Sequence, residues 1–296
     1  MSPPGVDDDT VAARTALLDA LDALEAHLDA LVLIGAQAIY LWTGGADLAL
    51  AESTDDSDLA IDHRLLGDDP LLEEAMTAAG FHRDLKDGQP GSWLSPQDVP
   101  VDLMIPEAQS GKGGRRGGRI PPHSTAAVRR SVGLEAAVVD NEPKVIRSLD
   151  PADERQFEIK VATPAALMVA KLHKLGERHE SKPARLDDKD AHDLYRLLVA
   201  IPTRDLVESL DKLRGDELSA EVTARALEYL QVLFADGPEA PGSQMAGRAE
   251  GLAGDPVLVA ASAATLASDL LLHQQGDGFA GRRARERGTG PGGLRR

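Results

Sequence analysis

The chain begins with helical spacing that changes to a short, continuous apolar run. Apolar residues recur at three- and four-residue intervals after a candidate N-cap at Asp9, which predicts an amphipathic helix to about Asp29. Residues 31–34 (LVLI) are all apolar and stop at Gly35, as a buried strand would. Helical character returns over 36–42 and ends at a Thr-Gly-Gly break. The predicted local order is therefore helix, strand, glycine turn and helix.

Further short strands follow this unit. Residues 58–62 (DLAID) and 99–105 (VPVDLMI) are predicted strands, and residues 70–79 are a predicted helix that ends at Gly80. Short strands that alternate with helices indicate a sheet domain of the α/β or α+β class.

The second half of the chain changes character. Residues 136–140 and 144–146 are predicted to form a last hairpin, and Thr163-Pro164 is typical of a helix start with proline in the first turn. Helices are then predicted at about 164–177, 186–200, 203–214, 219–235 and 255–273. We therefore expect an α+β protein, with a mixed-sheet domain over 1–160 and a helical domain over 161–275.

Two segments lack the apolar residues that a packed element needs. Residues 111–119 (GKGGRRGGR) are predicted to form a mobile loop, whose basic side chains could clamp a polyanion. Residues 276–296 are rich in Gly and Arg and are predicted to be a disordered tail.

The charge is unevenly distributed along the 296 residues. The net charge is −17, but residues 1–110 carry 22 acidic and 4 basic side chains, and the remainder is close to neutral. An acidic protein is repelled at long range by nucleic acid and by anionic membranes, so bulk electrostatic binding to either is excluded. A local basic site remains compatible with this composition.

The composition also limits the chemistry and the compartment. Cysteine is absent, which excludes disulfides, thiolate metal sites and cysteine nucleophiles. The longest nearly apolar run, residues 30–42, is shorter than the ~20 residues of a membrane span, and no signal peptide is apparent. We expect a cytoplasmic protein without a membrane partner.

The most informative segment is 54–61 (TDDSDLAI). If a strand starts near Asp56, the two-residue period places Asp56 and Asp58 on one face. Asp102 interrupts an otherwise apolar strand, where a carboxylate needs a partner or an ion, and a neighbouring strand would bring it beside the pair.

Three close carboxylates repel one another, and a hard cation with oxygen ligands relieves that repulsion. Mg²⁺ or Mn²⁺ at Asp56, Asp58 and Asp102 would keep open positions for phosphate oxygens. This pattern points to two-metal phosphoryl transfer. The alternative interpretation is that these residues only cap turns at a loop-to-strand junction, because a bare Asp-x-Asp is a weak signal.

The order of these features resembles the DNA polymerase β-like nucleotidyltransferases, over roughly residues 30–200. The elements that match are the strand and Ile34-Gly35-Ala36-Gln37 turn, the Thr54-x-Asp56-x-Asp58-Leu59 strand, the Val101-Asp102-Leu103 strand and a helical domain with lysines. More narrowly, the chain is similar to the AbiEii toxin-type branch, which includes the MenT toxins.

The resemblance implies roles for particular residues. The turn would hold the phosphates of an NTP, with Gly35-Ala36 standing where the family has Gly-Gly or Gly-Ser, which keeps the backbone donors but loses a hydroxyl. Lys171 would neutralise the triphosphate. Lys189 would contribute to nucleotide binding and Asp190 to catalysis.

The same helical residues have a structural alternative. Lys171 and Lys174 share one helix face with Arg178, and this face would then be only solvated. Asp190 and Asp193 would then be surface acids that pair with nearby basic residues.

The resemblance implies a metal-dependent enzyme that transfers NMP from an NTP to an acceptor hydroxyl and releases pyrophosphate. It further implies an RNA acceptor, such as a tRNA 3′ end, and a toxin whose action is relieved by an antitoxin protein. Two alternatives stay open: an acceptor that is a small molecule or a protein, and a non-catalytic binding protein that keeps the fold.

Overall fold

The computed structural model describes residues 7–44, 53–84, 88–111, 116–251 and 253–287, with side chains in the last helix described as far as Gln274. The strands are β1 (Leu31–Ile34), β2 (Ser57–Ile61), β3 (His82–Arg83), β4 (Ser92–Leu94), β5 (Pro100–Pro106), β6 (Arg129–Ser131), β7 (Asn141–Arg147) and β8 (Gln156–Ala162).

The eight strands form one mixed sheet. The spatial order is β3-β4-β5-β2-β1-β8-β7, and β6 pairs with β5 beside β4. The β1–β2, β3–β4, β4–β5 and β7–β8 pairs are antiparallel, whereas β1–β8, β2–β5 and β5–β6 are parallel. The predicted α+β class with a mixed sheet is confirmed.

Ten α-helices are described in the same part of the chain. Four accompany the sheet: α1 (Asp8–Ala23), α2 (Gly35–Thr43), α3 (Leu72–Ala78) and α4 (Glu135–Val139). The others form the helical half: α5 (Pro164–Ser181), α6 (Asp188–Ala200), α7 (Thr203–Gly215), α8 (Ala220–Leu230), α9 (Pro241–Glu250) and α10 (Pro256–Arg287). A π-helical turn, Gln231–Ala235, continues α8.

The predicted hairpin at 136–146 is wrong. Residues 135–139 form α4, and β7 pairs with β8 instead of with the preceding segment. Ala136 and Ala137 are completely buried in α4, and Asn141 Nδ2 donates a hydrogen bond to the carbonyl of Ala137. This Ala-rich segment therefore packs as one helical turn, because its small side chains favour a helix over a strand.

One predicted helix is shorter than expected, and one helix was not predicted. The first ends at Ala23, and Glu25–Ala30 continues as a 3₁₀ segment. Helix α9 was not predicted, since its sequence contains glycines that disfavour helices. A Cβ atom on Gly242 would lie 2.6 Å from the Phe234 ring, and one on Gly247 would lie 2.4 Å from the Pro256 carbonyl oxygen. Tertiary packing against the neighbouring helices thus selects both the helix and its glycines.

The predicted domain boundary at residue 160 falls inside β8, and the buried apolar side chains form one cluster that continues from the sheet into the helices. Asp140, which follows α4, accepts hydrogen bonds from Thr163, Ser209 and Lys212. These contacts join the sheet to α5 and α7. Of the predicted tail, 276–287 belong to α10, and 288–296 lie outside the described residues.

One helix is long and apolar enough to pass a composition test for crossing a membrane. It is Pro256–Gln274 in α10, with mean hydropathy 1.4 and 39% of the segment buried inside the fold. Val259, Ala263 and Ala267 are buried at helical spacing, and α10 packs against α9 and α7. A helix that packs in a protein core can have the same length and composition, and these contacts make α10 part of the helical half of the fold.

Candidate active site

The first strand, turn and helix bring backbone N–H groups close to a carboxylate. Ile34 at the end of β1 pairs with Asp58 of β2, and α2 begins at the next residue, Gly35. Gly35 has φ +71°, and a Cβ atom there would lie 2.1 Å from Asp58 Oδ2. Glycine is therefore required both by the backbone conformation and by the Asp58 side chain.

Asp58 and Asp102 lie side by side, as the sequence predicts. They are register partners on the adjacent parallel strands β2 and β5. Since partners in register point to the same face, the two carboxylates converge. Burial, followed by repulsion from Asp56 and Asp102, raises the pKa of Asp58 to about 7.

Asp56 lies one residue before β2, so the strand begins one residue later than the start near Asp56 that the sequence suggested. Its Oδ1 accepts a hydrogen bond from Thr54 Oγ1 at 2.8 Å. Gln37 Nε2 donates to the Asp56 carbonyl at 3.2 Å and to Ser57 Oγ at 2.6 Å. The segment that carries the carboxylates is thus held by side chains from two elements.

Gln37 belongs to a buried polar chain behind the site. Arg14 Nε of α1 donates to Gln37 Oε1 at 2.7 Å, and Ser57 Oγ donates to the Ala13 carbonyl at 2.8 Å. Arg14, Gln37 and Ser57 are all at least nine-tenths buried. Hydrogen bonds between buried groups are stronger than hydrogen bonds exposed to water, so this hydrogen-bond network couples α1 and α2 to β2.

Asp102 has a basic partner that the sequence pattern did not indicate. Arg129 Nη2, on β6, donates to Asp102 Oδ2 at 2.5 Å and lies 3.2 Å from Met104 Sδ. The three-residue strand β6 is too short to leave a periodic signal, and it follows the Gly- and Pro-rich segment directly.

The chemistry of the carboxylates fits a hard divalent cation. Asp56, Asp58 and Asp102 would supply anionic oxygen ligands, and the repulsion that raises the Asp58 pKa is the kind that a cation relieves. As they stand, no three acidic or histidine side chains in the described part of the chain are arranged as a metal-holding group. Asp102 is instead engaged by Arg129.

The helical half faces the carboxylates with a cationic cluster. Lys171 Nζ, on α5, lies 2.7 Å from Asp190 Oδ1 and 2.8 Å from Asp193 Oδ2, both on α6. Lys174 and Arg178 also contact Asp190, at 2.8 and 3.1 Å. Burial alone would lower the pKa of Lys171 and raise that of Asp190, but the ion pairs reverse both shifts.

This arrangement decides against a merely solvated face. The side chains of Lys171, Asp190 and Asp193 are only 11%, 4% and 3% exposed. Asp190 does not line the cavity described next, but it holds three cations at the cavity wall. Asp190 therefore holds these basic side chains in place, whereas Lys171 and Lys174 themselves line the cavity.

A cavity of about 370 Å³ lies between Asp58 and this cluster, and Asp56 and Asp102 are not among its described lining residues. Gly35 and Asp58 line it on the sheet side, and Glu177 is the other acidic residue among its described lining. The basic side chains that line it are Arg116, Arg129, Arg130, Lys171, Lys174, Arg178, Lys182 and Arg185. In a protein of net charge −17, the lining of this cavity therefore carries a local excess of cations.

Two further predicted residues do not line this cavity. Lys189 lines a second cavity of about 260 Å³, with Tyr40, Asp193 and Arg196, on the α2 side of α6. Ala36 is buried in the first turn of α2, where only its backbone could serve a ligand. Of the basic loop 111–119, Arg116 reaches the first cavity, and 112–115 lie outside the described residues.

Comparison with known proteins identifies no family for this chain. A scan against protein-family models matched none of them, and searches of curated proteins and of solved structures also returned no match.

Proposed function

We propose that the protein is a metal-dependent nucleotidyltransferase that transfers NMP from an NTP to an acceptor hydroxyl. The observation that carries this proposal is the single cavity that joins Gly35 and Asp58 to a wall of basic side chains. A triphosphate needs cationic neutralisation, and a nucleotidyl transfer needs carboxylates beside the α-phosphate.

The residues divide the work by their chemistry. Asp56, Asp58 and Asp102 would hold Mg²⁺, which supplies charge neutralisation at the phosphates and at the attacking oxygen. Lys171 and Lys174 would offset the remaining triphosphate charge. The acceptor hydroxyl gives up its proton to water as its oxygen attacks the α-phosphorus, the bond from the α-phosphorus to the bridging oxygen of the β-phosphate breaks, and pyrophosphate leaves with the electron pair of that bond.

We further propose an RNA acceptor, such as a tRNA 3′ end, because the cavity is also lined by Arg116, Lys182 and Arg185, in addition to Lys171 and Lys174. The test is transfer of label from each of four α-labelled NTPs to total RNA with Mg²⁺. Label in RNA supports the proposal, and Asp58→Asn should abolish it. If wild-type protein and Asp58→Asn label RNA equally, the mechanism is wrong.

The alternative acceptors are separated by a second arm of the same experiment. Label transferred only in RNA-free extract would assign a small-molecule or protein acceptor and reject RNA. A non-catalytic binding protein would transfer no label and would show no stabilisation by NTP with Mg²⁺, whereas a ligand bound to the native state raises the melting temperature.

We also propose that the protein acts as a toxin that a separate antitoxin protein inhibits. This proposal follows if the RNA acceptor is essential for translation. Induced expression should then stop growth, and the Asp58→Asn protein at equal level should not. Equal growth arrest by both proteins would reject the link between activity and toxicity.

A further inference from the structure

Arg129 makes the shortest contact to any of the three carboxylates among the hydrogen bonds described above. Its guanidinium donates to Asp102 Oδ2 at 2.5 Å, and the two side chains are 22% and 18% exposed. A charge-assisted contact with this little water around it is stronger than a surface ion pair.

The backbone around Arg129 fixes this contact. β6 joins β5 where β4 ends, with Arg129 in register with Met104, two residues from Asp102 and on the same face of β5. Gly91 at this junction has φ +77°, and a Cβ atom there would lie 2.4 Å from Arg129 N and 2.2 Å from the Leu103 carbonyl oxygen. The close approach that Gly91 allows places the guanidinium over the carboxylate.

A cation bound by Asp102 would draw on the same carboxylate whose Oδ2 Arg129 now holds. Asp58 and Asp102 are neighbours in register, so an ion shared between them and the guanidinium compete for the same region of the sheet. Arg129 also lines the cavity, where phosphate oxygens could take over its hydrogen bonds.

We propose that Arg129 is a built-in counter-ion for Asp102 that a divalent cation has to displace. This inference rests on the proposed function, since it concerns the same carboxylates. Arg129 then keeps the cation affinity of the ligand-free protein low, and a bound polyphosphate that attracts Arg129 raises it. Cation and polyphosphate therefore bind cooperatively through Arg129.

The test measures Mn²⁺ binding to the nucleotide-free, full-length protein by electron paramagnetic resonance, so that activity is not needed. Arg129→Gln should bind Mn²⁺ about tenfold more tightly than wild type, because a partly buried cation next to the ligand is removed. Arg129→Lys, which keeps the charge, should stay closer to wild type. Circular dichroism melting confirms that each variant is folded.

Arg130→Gln is the matched control. Arg130 lies on the same strand and lines the same cavity, but its ion-pair contact is Glu107, at 3.9 Å. Arg130→Gln therefore removes an equal charge without freeing Asp102, and it should change the Mn²⁺ affinity less than Arg129→Gln does. The double variant Arg129→Gln with Asp102→Asn should lose the gain.

The outcomes separate the two proposals. If Mn²⁺ binds wild type, Asp58→Asn abolishes binding, and Arg129→Gln behaves like Arg130→Gln, the counter-ion role is wrong and the metal site stands. If no variant binds Mn²⁺, both the counter-ion role and the metal-dependent mechanism are overturned.

Discussion

Gly35 and Asp58 touch across the first two strands, with no room for even one carbon atom between them. A Cβ atom on Gly35 would stand 2.1 Å from Asp58 Oδ2, and Gly35 also has a positive φ of +71°. The turn that presents backbone donors and the strand that presents the carboxylate are therefore one geometric unit. A change in either residue moves the other.

Gly35→Ala should abolish most nucleotide-dependent activity. The new methyl group displaces the Asp58 carboxylate, and the left-handed backbone adds a cost of roughly 1–2 kcal/mol for a non-glycine residue. Gly88→Ala is the control, since Gly88 has φ +59° and open space around its Cβ position. Both variants should lose stability in denaturant unfolding, with the larger loss in Gly35→Ala because its methyl group also meets Asp58, but only Gly35→Ala should lose label transfer.

Asp190→Asn should destabilise the helical half and weaken nucleotide binding. The change leaves Lys171 buried with one carboxylate partner instead of two, and loss of a buried partner costs about 3–5 kcal/mol. Asp188→Asn is the comparison, because its pair with Arg248 is exposed and is worth at most about 1 kcal/mol. Urea unfolding measures both, and equal small losses would contradict the anchoring role of Asp190.

Asp140→Asn should make the protein less stable in a way that depends on pH. Burial would raise the pKa of Asp140, but hydrogen bonds from Lys212, Ser209 and Thr163 outweigh it and lower the pKa. Because its native pKa is lowered, ionised Asp140 stabilises the fold at pH values above the unfolded pKa near 3.8. This stabilisation is lost as the pH falls from that value through the lower native pKa.

The loss in Asp140→Asn should be about 2 kcal/mol at pH 7, the scale of a hydrogen bond to a charged group. It should shrink as the pH falls below about 4, because the carboxyl of the unfolded chain then binds a proton while the native carboxylate, with its lowered pKa, stays ionised. Unfolding free energies of both proteins at pH 7 and across pH 3–5 check this, and a loss that is constant with pH would contradict it.

Gln37→Leu should lower the transfer rate more than its stability cost explains. Gln37 holds Ser57 and the Asp56 carbonyl, and a misplacement of about 1 Å at a reacting site can cost about 100-fold in rate. Gln274→Leu, at another buried glutamine bonded to Arg214 and the Val207 carbonyl, should cost similar stability without that loss of rate. Equal rate losses would mean that Gln37 has no special place behind the carboxylates.

Local sequence pattern predicted much of the sheet that bears the site. The strands predicted at 31–34, 58–62 and 99–105 are found at 31–34, 57–61 and 100–106, and glycine after Ile34 marks the turn. Strand β8 has the same kind of pattern, since Phe157, Ile159 and Val161 alternate with polar residues. The convergence of Asp58 with Asp102 required only that two such strands be neighbours.

The amino-acid sequence supplies the residue types: carboxylates on two strands, a glycine turn, lysines on one helix face and no cysteine. What these groups contact depends on the three-dimensional fold, because pairing between β5 and β6 and between α5 and α6 joins residues that are 27 and 19 positions apart. Arg129 on a three-residue strand and Asp190 beneath three cations have no local signature. Their roles arise from charges that burial forces together, since an unpaired charge is costly away from water.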